Sequence, residues 1–378
     1  MKHIPVAEPV IGARELWYVL RSIQRKQISG YSHESIPKFE KKFAAYSDSK
    51  YAVAVSNGTT AIHLVLASLG IGRGDEILVS GYTNMATFFP ILQLGATPVP
   101  VDIDKEHFNI DPVDLESKIT PATRAIIVVH IFGHPAPMDK ICAIAEKCGL
   151  PIIEDCAEAH GAEINGKRVG SFGLAGCFSF YANKLITTGE GGMITTSSLE
   201  LKNSLKSMAS LSFGDQNKFL HKRDGYNFRL SNIQAAFGLA QMKRIEKTIA
   251  RKQKIASIYS SILSKDSRLN LPSSEPGVRN VVWMYLIQIR NPERYPVKKV
   301  IEKLHDLGIE CREGFIPFSD QVNVLAQYSI DSPATPNASQ AGISTFYLPS
   351  GPILSKRQIK FVCRSLTQVL DEIQLLSI

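Results

Sequence analysis

Three short stretches of this chain carry residue types that could act together on a small ligand. In FSFYANKLITTGEGGMITT (178–196) one lysine, Lys184, stands between an aromatic apolar run and a glycine-rich turn. On its own it reads first as a solvated surface charge; held neutral, its amine would attack a carbonyl carbon. In SNGTT (56–60), Gly58 allows close backbone approach, and Thr59 and Thr60 offer hydroxyls. A helix starting there presents its first amides unpaired, which makes either an anion site or a plain helix cap. In PIIEDCAEAHGA (151–162) an apolar run ends in Glu154 and Asp155, with Glu158 and His160 just beyond. Asp155 stands where an acid meets a ligand cation or caps a turn.

The elements that would position these residues follow from periodicity. Seven apolar runs, YAVAVS (51–56), EILVSG (76–81), TPVPVD (97–102), AIIVVH (125–130), PIIED (151–155), GCFSFY (176–181) and GMITT (192–196), alternate with helical patterns such as TTAIHLVLASLG and MDKICAIAEKCG. That alternation predicts a mainly parallel sheet covered on both faces. In such sheets ligands bind at the C-terminal ends of the strands. The last two runs lie too close together for an ordinary helix, so the sheet departs from simple βαβ winding there. SNIQAAFGLAQMKRIEKTIARKQKIASIYSSIL (231–263) reads as one long amphipathic helix capped by Ser231. LPSSEPGVRN (271–280) is a break. Beyond it VVWMYLIQI (281–289) reads as a strand, and VKKVIEKLHDLG and SKRQIKFVCRSLTQVLDEIQ as helices of a small α+β domain. The expected division is a large domain over 1–250, including an N-terminal helical segment, and a small C-terminal domain over 251–378.

Composition narrows the function classes. The chain has 378 residues, 44% hydrophobic and 21% charged, an ordinary globular balance with length for more than one core. No run approaches the roughly 18 uninterrupted apolar residues of a membrane span. The start, MKHIPVAEPVIGARE, has no signal core. The chain reads as cytoplasmic, with no membrane partner. Its six cysteines form no CxxC pair and read as reduced, mostly buried thiols. No His/Cys cluster has metal spacing, so no metal is expected. The net charge is +8, with short basic clusters HKR (221–223) and RKQK (251–254), the second reading as a solvated helix face. The charges are otherwise scattered, so nucleic acid is not expected, while phosphorylated small molecules suit the same field. No GxGxxG follows the first strand, which excludes a nicotinamide-binding Rossmann site.

Taken together, an anion cup, an acid at a strand tip and a lysine beyond a third strand are the parts of a pyridoxal 5′-phosphate site. Phosphate goes to a helix N-terminus, the ring nitrogen to a carboxylate that keeps it protonated, and the aldehyde to a lysine. Ser179 offers a second phosphate hydrogen bond, and Gly189, Gly191 and Gly192 leave room for a tight turn. The stretches SNGTTAIHL, GDEILVSGYT, GATPVPVDID, IIEDCAEAHGA, FSFYANKLITTGEGG and GYNFRLSNIQAAFGLAQ, in this order, resemble the sugar aminotransferases of the DegT/DnrJ/StrS family over nearly the whole chain. The resemblance implies an α/β, aspartate-aminotransferase-like fold (type I among pyridoxal phosphate enzymes). In it a large domain with a mixed, mainly parallel sheet flanked by helices is joined to a smaller C-terminal α+β domain. It further implies amino transfer from L-glutamate to a keto sugar. The similarity is strongest to members acting on C4 of nucleotide-linked 4-keto-6-deoxyhexoses such as GDP-4-keto-6-deoxymannose, for cell-surface polysaccharides of the O-antigen type.

The resemblance also implies roles. Lys184 matches the lysine that binds the aldehyde and shuttles the proton. Asp155 matches the partner of the ring nitrogen, and Glu158 a Gln-or-Glu position near the ring hydroxyl. Gly58, Thr59 and Ser179 match the phosphate cup. Asn227, in GYNFRL, matches an asparagine reaching the phosphate from a neighbouring subunit, which implies a homodimer with shared sites. Arg229 is structural or substrate-facing, and Arg312 and Phe315, in GIECREGFIPFSDQ (308–321), are substrate-binding candidates. One departure stands out: where the family has an aromatic residue stacked on the ring, GYTNMAT (81–87) has Asn84. Either Asn84 packs its amide on the ring, or Tyr82 or another aromatic supplies the stacking face, and the first is favoured because it keeps the register. Lysine at 184, where some relatives carry histidine, favours amino transfer over C3 dehydration. A lysine-retaining dehydratase, a 3-keto sugar aminotransferase and a cofactor-binding regulator without turnover are the alternatives.

Overall fold

The structure is a computed structural model describing residues 3–31, 34–214, 217, 219–221, 223–331 and 334–375. Lys222, in the HKR cluster, lies outside these residues. The apolar runs become one sheet: β1 (Tyr51–Val55), β2 (Glu76–Ser80), β3 (Thr97–Val101), β4 (Thr123–Val129), β5 (Ile152–Asp155) and, after a small hairpin of β6 (Glu163–Ile164) and β7 (Lys167–Arg168), β8 (Ala175–Ser179) and β9 (Gly192–Thr196). The order is β1-β9-β8-β5-β4-β2-β3. β3, β2, β4, β5 and β8 are parallel. β9 runs antiparallel to both β8 and β1, which is the departure from simple winding that the short gap predicts.

Helices α1 (Ala13–Gln24), α2 (Ser35–Tyr46), α3 (Gly58–Ser68), α4 (Phe89–Gln93), α5 (Pro112–Ser117), α6 (Met138–Cys148) and α7 (Leu199–Ala209) flank this sheet. Successive strand residues point to opposite faces. Ile77, Val79, Ile127 and Ile153 therefore pack with Leu64 of α3 and Leu205 of α7, while Leu78, Ile126, Val128 and Ile152 pack with Ile141 of α6. With both faces covered, the strands are apolar throughout.

The long helix expected over 231–263 is two helices, α8 (Asn232–Met242) and α9 (Ile245–Leu263). Ser231 does cap the first, accepting from the Gln234 amide. The break needs no proline. Arg244 leaves helical geometry at φ −120° and ψ −2°, and its guanidinium donates to the Val10 carbonyl at 2.8 Å. Tertiary contact thus overrides local propensity.

α9 runs uninterrupted through residue 250. Ile245 and Ile249 pack in the core under the large sheet, and Ile255, Tyr259 and Leu263 in the C-terminal core. RKQK is accordingly not a solvated face: Lys252 is 3% exposed, and Arg251 donates to the carbonyls of Pro352 and Leu354.

Beyond α9 come β10 (Leu269–Asn270), β11 (Val278–Arg279), β12 (Tyr285–Ile289), α10 (Val297–Asp306), β13 (Arg312–Glu313), α11 (Val322–Tyr328), α12 (Pro336–Ser344), β14 (Thr345–Leu348) and α13 (Lys356–Leu375). A four-stranded sheet of order β10-β12-β14-β13 packs against α9, α10 and α13. The strand expected over 281–289 begins only at Tyr285. Before it, Val281 and Trp283 donate their amides to the carbonyls of Gly133 and Phe132. Among the described residues no helix is long and apolar enough to cross a membrane. All six cysteines are free, and four are buried.

Candidate active site

Sheet register brings the three chemical stretches to one edge. Gly192 opposes both Val55 and Ser179, so the SNGTT turn after β1 and the end of β8 lie side by side. Asp155 opposes Cys177 of β8 and Val129 of β4. The backbones meet so closely that a Cβ on Gly192 would collide with the Asn57 carbonyl, and one on Gly58 would come within 3.0 Å of Ser179 Cβ. Gly192 therefore leaves no room for a side chain, while a Cβ at Gly58 would require Ser179 to give way. Asn57 caps α3, its Oδ1 accepting from the Thr60 amide at 2.8 Å. Thr60 spends its hydroxyl on the Asn57 carbonyl. The first amides of α3, on Gly58 and Thr59, point out of the helix without intrahelical acceptors, and Gly58 lies against Ser179.

Lys184 is a buried amine. Its side chain is 12% exposed, its Nζ lies 3.9 Å from Glu158 Oε1 and 3.9 Å from the centre of the Trp283 ring. Burial lowers its proton affinity, against the opposing pull of Glu158 and Asp155. Burial likewise pushes the Glu158 carboxyl up to about 7, against the Lys184 charge and the Phe132 amide, which donates to Glu158 Oε2 at 2.7 Å. At 3.9 Å the amine is near a carboxylate without being locked to it.

Asp155 is 6% exposed. Its Oδ2 accepts from Thr87 Oγ1 at 2.8 Å and its Oδ1 from the Ala157 amide at 3.0 Å. Burial still raises its carboxyl above the usual range, despite those two donors and the nearby Lys184. A carboxylate so desolvated favours a cationic partner.

The remaining candidates are placed as follows. Asn84 is exposed, and its Oδ1 accepts from the Ala86 amide at 2.9 Å in a local turn. Tyr82 is fully buried, with its hydroxyl 2.6 Å from Thr345 Oγ1. Asn227 is exposed and bridges Ser210. The Arg229 backbone bridges Val55 beside the SNGTT turn, while its guanidinium lies 4.5 Å over the Tyr31 ring. Arg312 is exposed and ion-paired to Glu310 at 2.9 Å. Phe315 stacks on Phe132 with ring centres 5.2 Å apart, and its amide donates to the Tyr82 hydroxyl at 3.2 Å. His160 is a core histidine among Phe43, Phe178 and Phe180, and burial lowers it to about 3.

Two residues at the site escape sequence reasoning. Thr87 sits within GYTNMAT, but nothing in its spacing points to Asp155. Trp283 lies in a run that reads as strand, yet its ring lies under Lys184 and its Nε1 donates to the Asn183 carbonyl at 2.9 Å. The only local hint is a tryptophan in a short apolar run next to a break.

Comparison with known proteins places the chain in a family. A GDP-perosamine synthase of Escherichia coli O157:H7 is 39% identical over 97% of this chain and 99% of the relative. A second GDP-perosamine synthase, from Caulobacter vibrioides, is 37% identical over 98% of this chain and 99% of its own. Among solved structures, an aminotransferase from Psychrobacter cryohalolentis superposes with a TM-score of 0.90 at 30% identity, covering 97% of this chain and 98% of that one. The DegT/DnrJ/EryC1/StrS aminotransferase family matches residues 9–367, and the chain belongs to it.

Proposed function

We propose that this chain is a pyridoxal 5′-phosphate-dependent aminotransferase that moves the amino group of L-glutamate to C4 of a nucleotide-linked 4-keto-6-deoxyhexose. GDP-4-keto-6-deoxymannose is the first candidate, since two relatives of nearly equal length are named GDP-perosamine synthases. The observation that carries the reading is a buried amine, Lys184, set beside two buried carboxylates on the strand-end edge that also holds the Gly58–Ser179 cradle. The cofactor fits these residues. The α3 amides and Ser179 suit a phosphate, Asp155 is a desolvated carboxylate suited to a protonated ring nitrogen, and Lys184 is an amine whose charge is already disfavoured.

When bound, the cofactor supplies a carbonyl that carries the amino group and a ring that withdraws electrons from the adjoining carbon. Lys184 Nζ takes the proton from Cα of glutamate in the first half-reaction and delivers one to C4 of the sugar in the second. Glu158, buried and held by the Phe132 amide, keeps a negative charge or a proton within reach of that amine. Thr87 and the Ala157 amide hold both oxygens of Asp155 in place. Asn84, where an aromatic was expected, contributes an amide at the mouth of the site. Arg312 and Phe315 stand as contacts for the sugar nucleotide, and Arg229 as a packing residue behind the cradle.

We further propose a cytoplasmic homodimer of two-domain chains, divided at 1–250 and 251–378. Leu16, Trp17, Leu20 and Ile23 on α1 are between 47% and 59% exposed, an apolar face suited to a second copy. Asn227 is exposed as a residue completing the partner's site would be. The test is direct. Cofactor-loaded protein should lose its visible absorbance with glutamate and regain it with GDP-4-keto-6-deoxymannose, yielding an aminated sugar nucleotide by mass spectrometry. A deoxygenated ketone would instead identify a C3 dehydratase, amination of 3-keto sugars alone would move the reaction to C3, and silence toward glutamate would refute amino transfer.

A further inference from the structure

A second group of polar side chains lies away from Lys184, beyond the wall formed by Phe132 and Trp283. It borders a cavity of about 500 Å³ lined by His107, Phe132, His134, Ser273 and Met284, among others. His107 belongs to the turn after β3, His134 follows the single helical turn Ile131–Gly133 after β4, and Glu275 lies in the break before β11. The two imidazoles stack with centres 4.2 Å apart. Glu275 offers one oxygen to each, 3.4 Å from His107 Nε2 and 3.6 Å from His134 Nε2.

His134 is the informative residue. It is 6% exposed, and its Nε2 has no hydrogen-bond partner among the described residues. Its Nδ1 lies 3.0 Å from the Pro135 carbonyl and 3.3 Å from Asn109 Nδ2, contacts that hold the ring with Nε2 toward Glu275. Asn109, 1% exposed, holds this corner by donating to the carbonyls of His134 and Pro135 and accepting from the Ile131 amide. A buried imidazole nitrogen left without a hydrogen bond is costly. Its δ-nitrogen tied to a carbonyl is the arrangement that orients a metal-binding histidine. The distances suit one ion. Ligand atoms about 2.0–2.2 Å from a metal at tetrahedral corners stand roughly 3.3–3.5 Å apart, and the ligand atoms of all three residues lie within 4.8 Å of one another.

We propose that His107, His134 and Glu275 bind a divalent transition-metal ion of the zinc class, with the fourth position open to the cavity. Two imidazoles and a carboxylate favour such ions over calcium or magnesium. Glu275, 47% exposed at its side chain, gives solvent access. Glu106, with Oε1 3.9 Å from His107 Nε2, is a second carboxylate within reach. The ion would tie the break before β11 to the turn that carries Phe132, whose amide holds Glu158. The ligands come from three separated segments, which is why no metal spacing is visible in the sequence.

The test uses tag-free holoenzyme without sugar nucleotide, titrated with Co²⁺ and with Zn²⁺ in competition. The expected result is one Co²⁺ per chain with a visible d–d spectrum of low coordination number, displaced by Zn²⁺, and at least roughly tenfold weaker binding in Glu275→Gln. Glu275 is half-exposed, so that variant tests binding without threatening the fold; His134→Asn is the second variant and should abolish the spectrum. Absence of stoichiometric binding by the wild type, or equal binding by Glu275→Gln, overturns the proposal.

Discussion

Lys184 and Lys252 are both buried amines, and Trp283 joins them: its ring lies 3.9 Å from Lys184 Nζ, and its carbonyl accepts from Lys252 Nζ at 2.6 Å. Their surroundings differ. Lys184 has Glu158 and Asp155 near it, which pull toward the charged form against burial. Among the described residues Lys252 donates to carbonyls, of Trp283 and Ser350, and burial lowers it from 10.5 to about 7. A neutral amine has two N–H donors, which those two carbonyls satisfy, so Lys252 acts as a cross-link between α9 and the C-terminal sheet. Burial therefore makes a lysine available as a neutral amine, and neighbouring acids decide whether it can also exchange protons.

The comparison can be broken most sharply by activity. Lys184→Ala should lower amino transfer at least about a thousandfold, while Lys252→Met should keep turnover within a few fold at pH 8 once the protein is folded; equal losses in steady-state assays would erase the distinction. Asp155→Asn keeps the shape and removes the charge, and turnover should fall on the order of a hundredfold, read as kcat with glutamate saturating.

The third measurement concerns stability. Because the folded value of Lys252 lies below its unfolded one, the folded protein binds fewer protons between about 7 and 10.5. Stability contributed this way is present at high pH and is lost as pH falls toward 7, by about 1 kcal/mol per pH unit. Urea midpoints of apo-protein at pH 7.5 and 9 should show that slope in the wild type and its loss in Lys252→Met. The smallest effect is expected from Thr87→Val, which leaves Asp155 Oδ2 without its donor. About 1 kcal/mol should appear as a several-fold loss of turnover, restored by Thr87→Ser.

What was legible in the sequence is what sits where a strand stops. Gly58, Asp155, Ser179 and Lys184 each follow an apolar run, and parallel winding brings such ends to one edge. Residues whose role depends on distant partners were not legible. Thr87 reaches Asp155 across 68 positions of sequence, and Trp283 meets Lys184 only because its segment bonds to Phe132 and Gly133 before β12 begins. Lys252 reads as solvated because of its charge, whereas it sits at helical spacing in the same buried stripe of α9 as Ile249 and Ile255, where one core gives way to the next. The break at Arg244 depends on Val10, far away in the chain, and leaves no proline or glycine to mark it.

The place of β1 has a consequence for synthesis. It is an edge strand that pairs with β9 in the sheet, with Arg229 bridging Val55 at its end. While a ribosome makes the chain, β1 waits unpaired until Gly192–Thr196 emerges. At about 5–20 residues per second this lasts roughly seven to thirty seconds. Throughout that interval Gly58 has no Ser179 opposite it, so a cofactor cannot template the first half of the chain. The nascent protein must instead guard an apolar strand from other chains, and a chaperone or the early packing of α2 on β1 would have to serve until the last strand arrives.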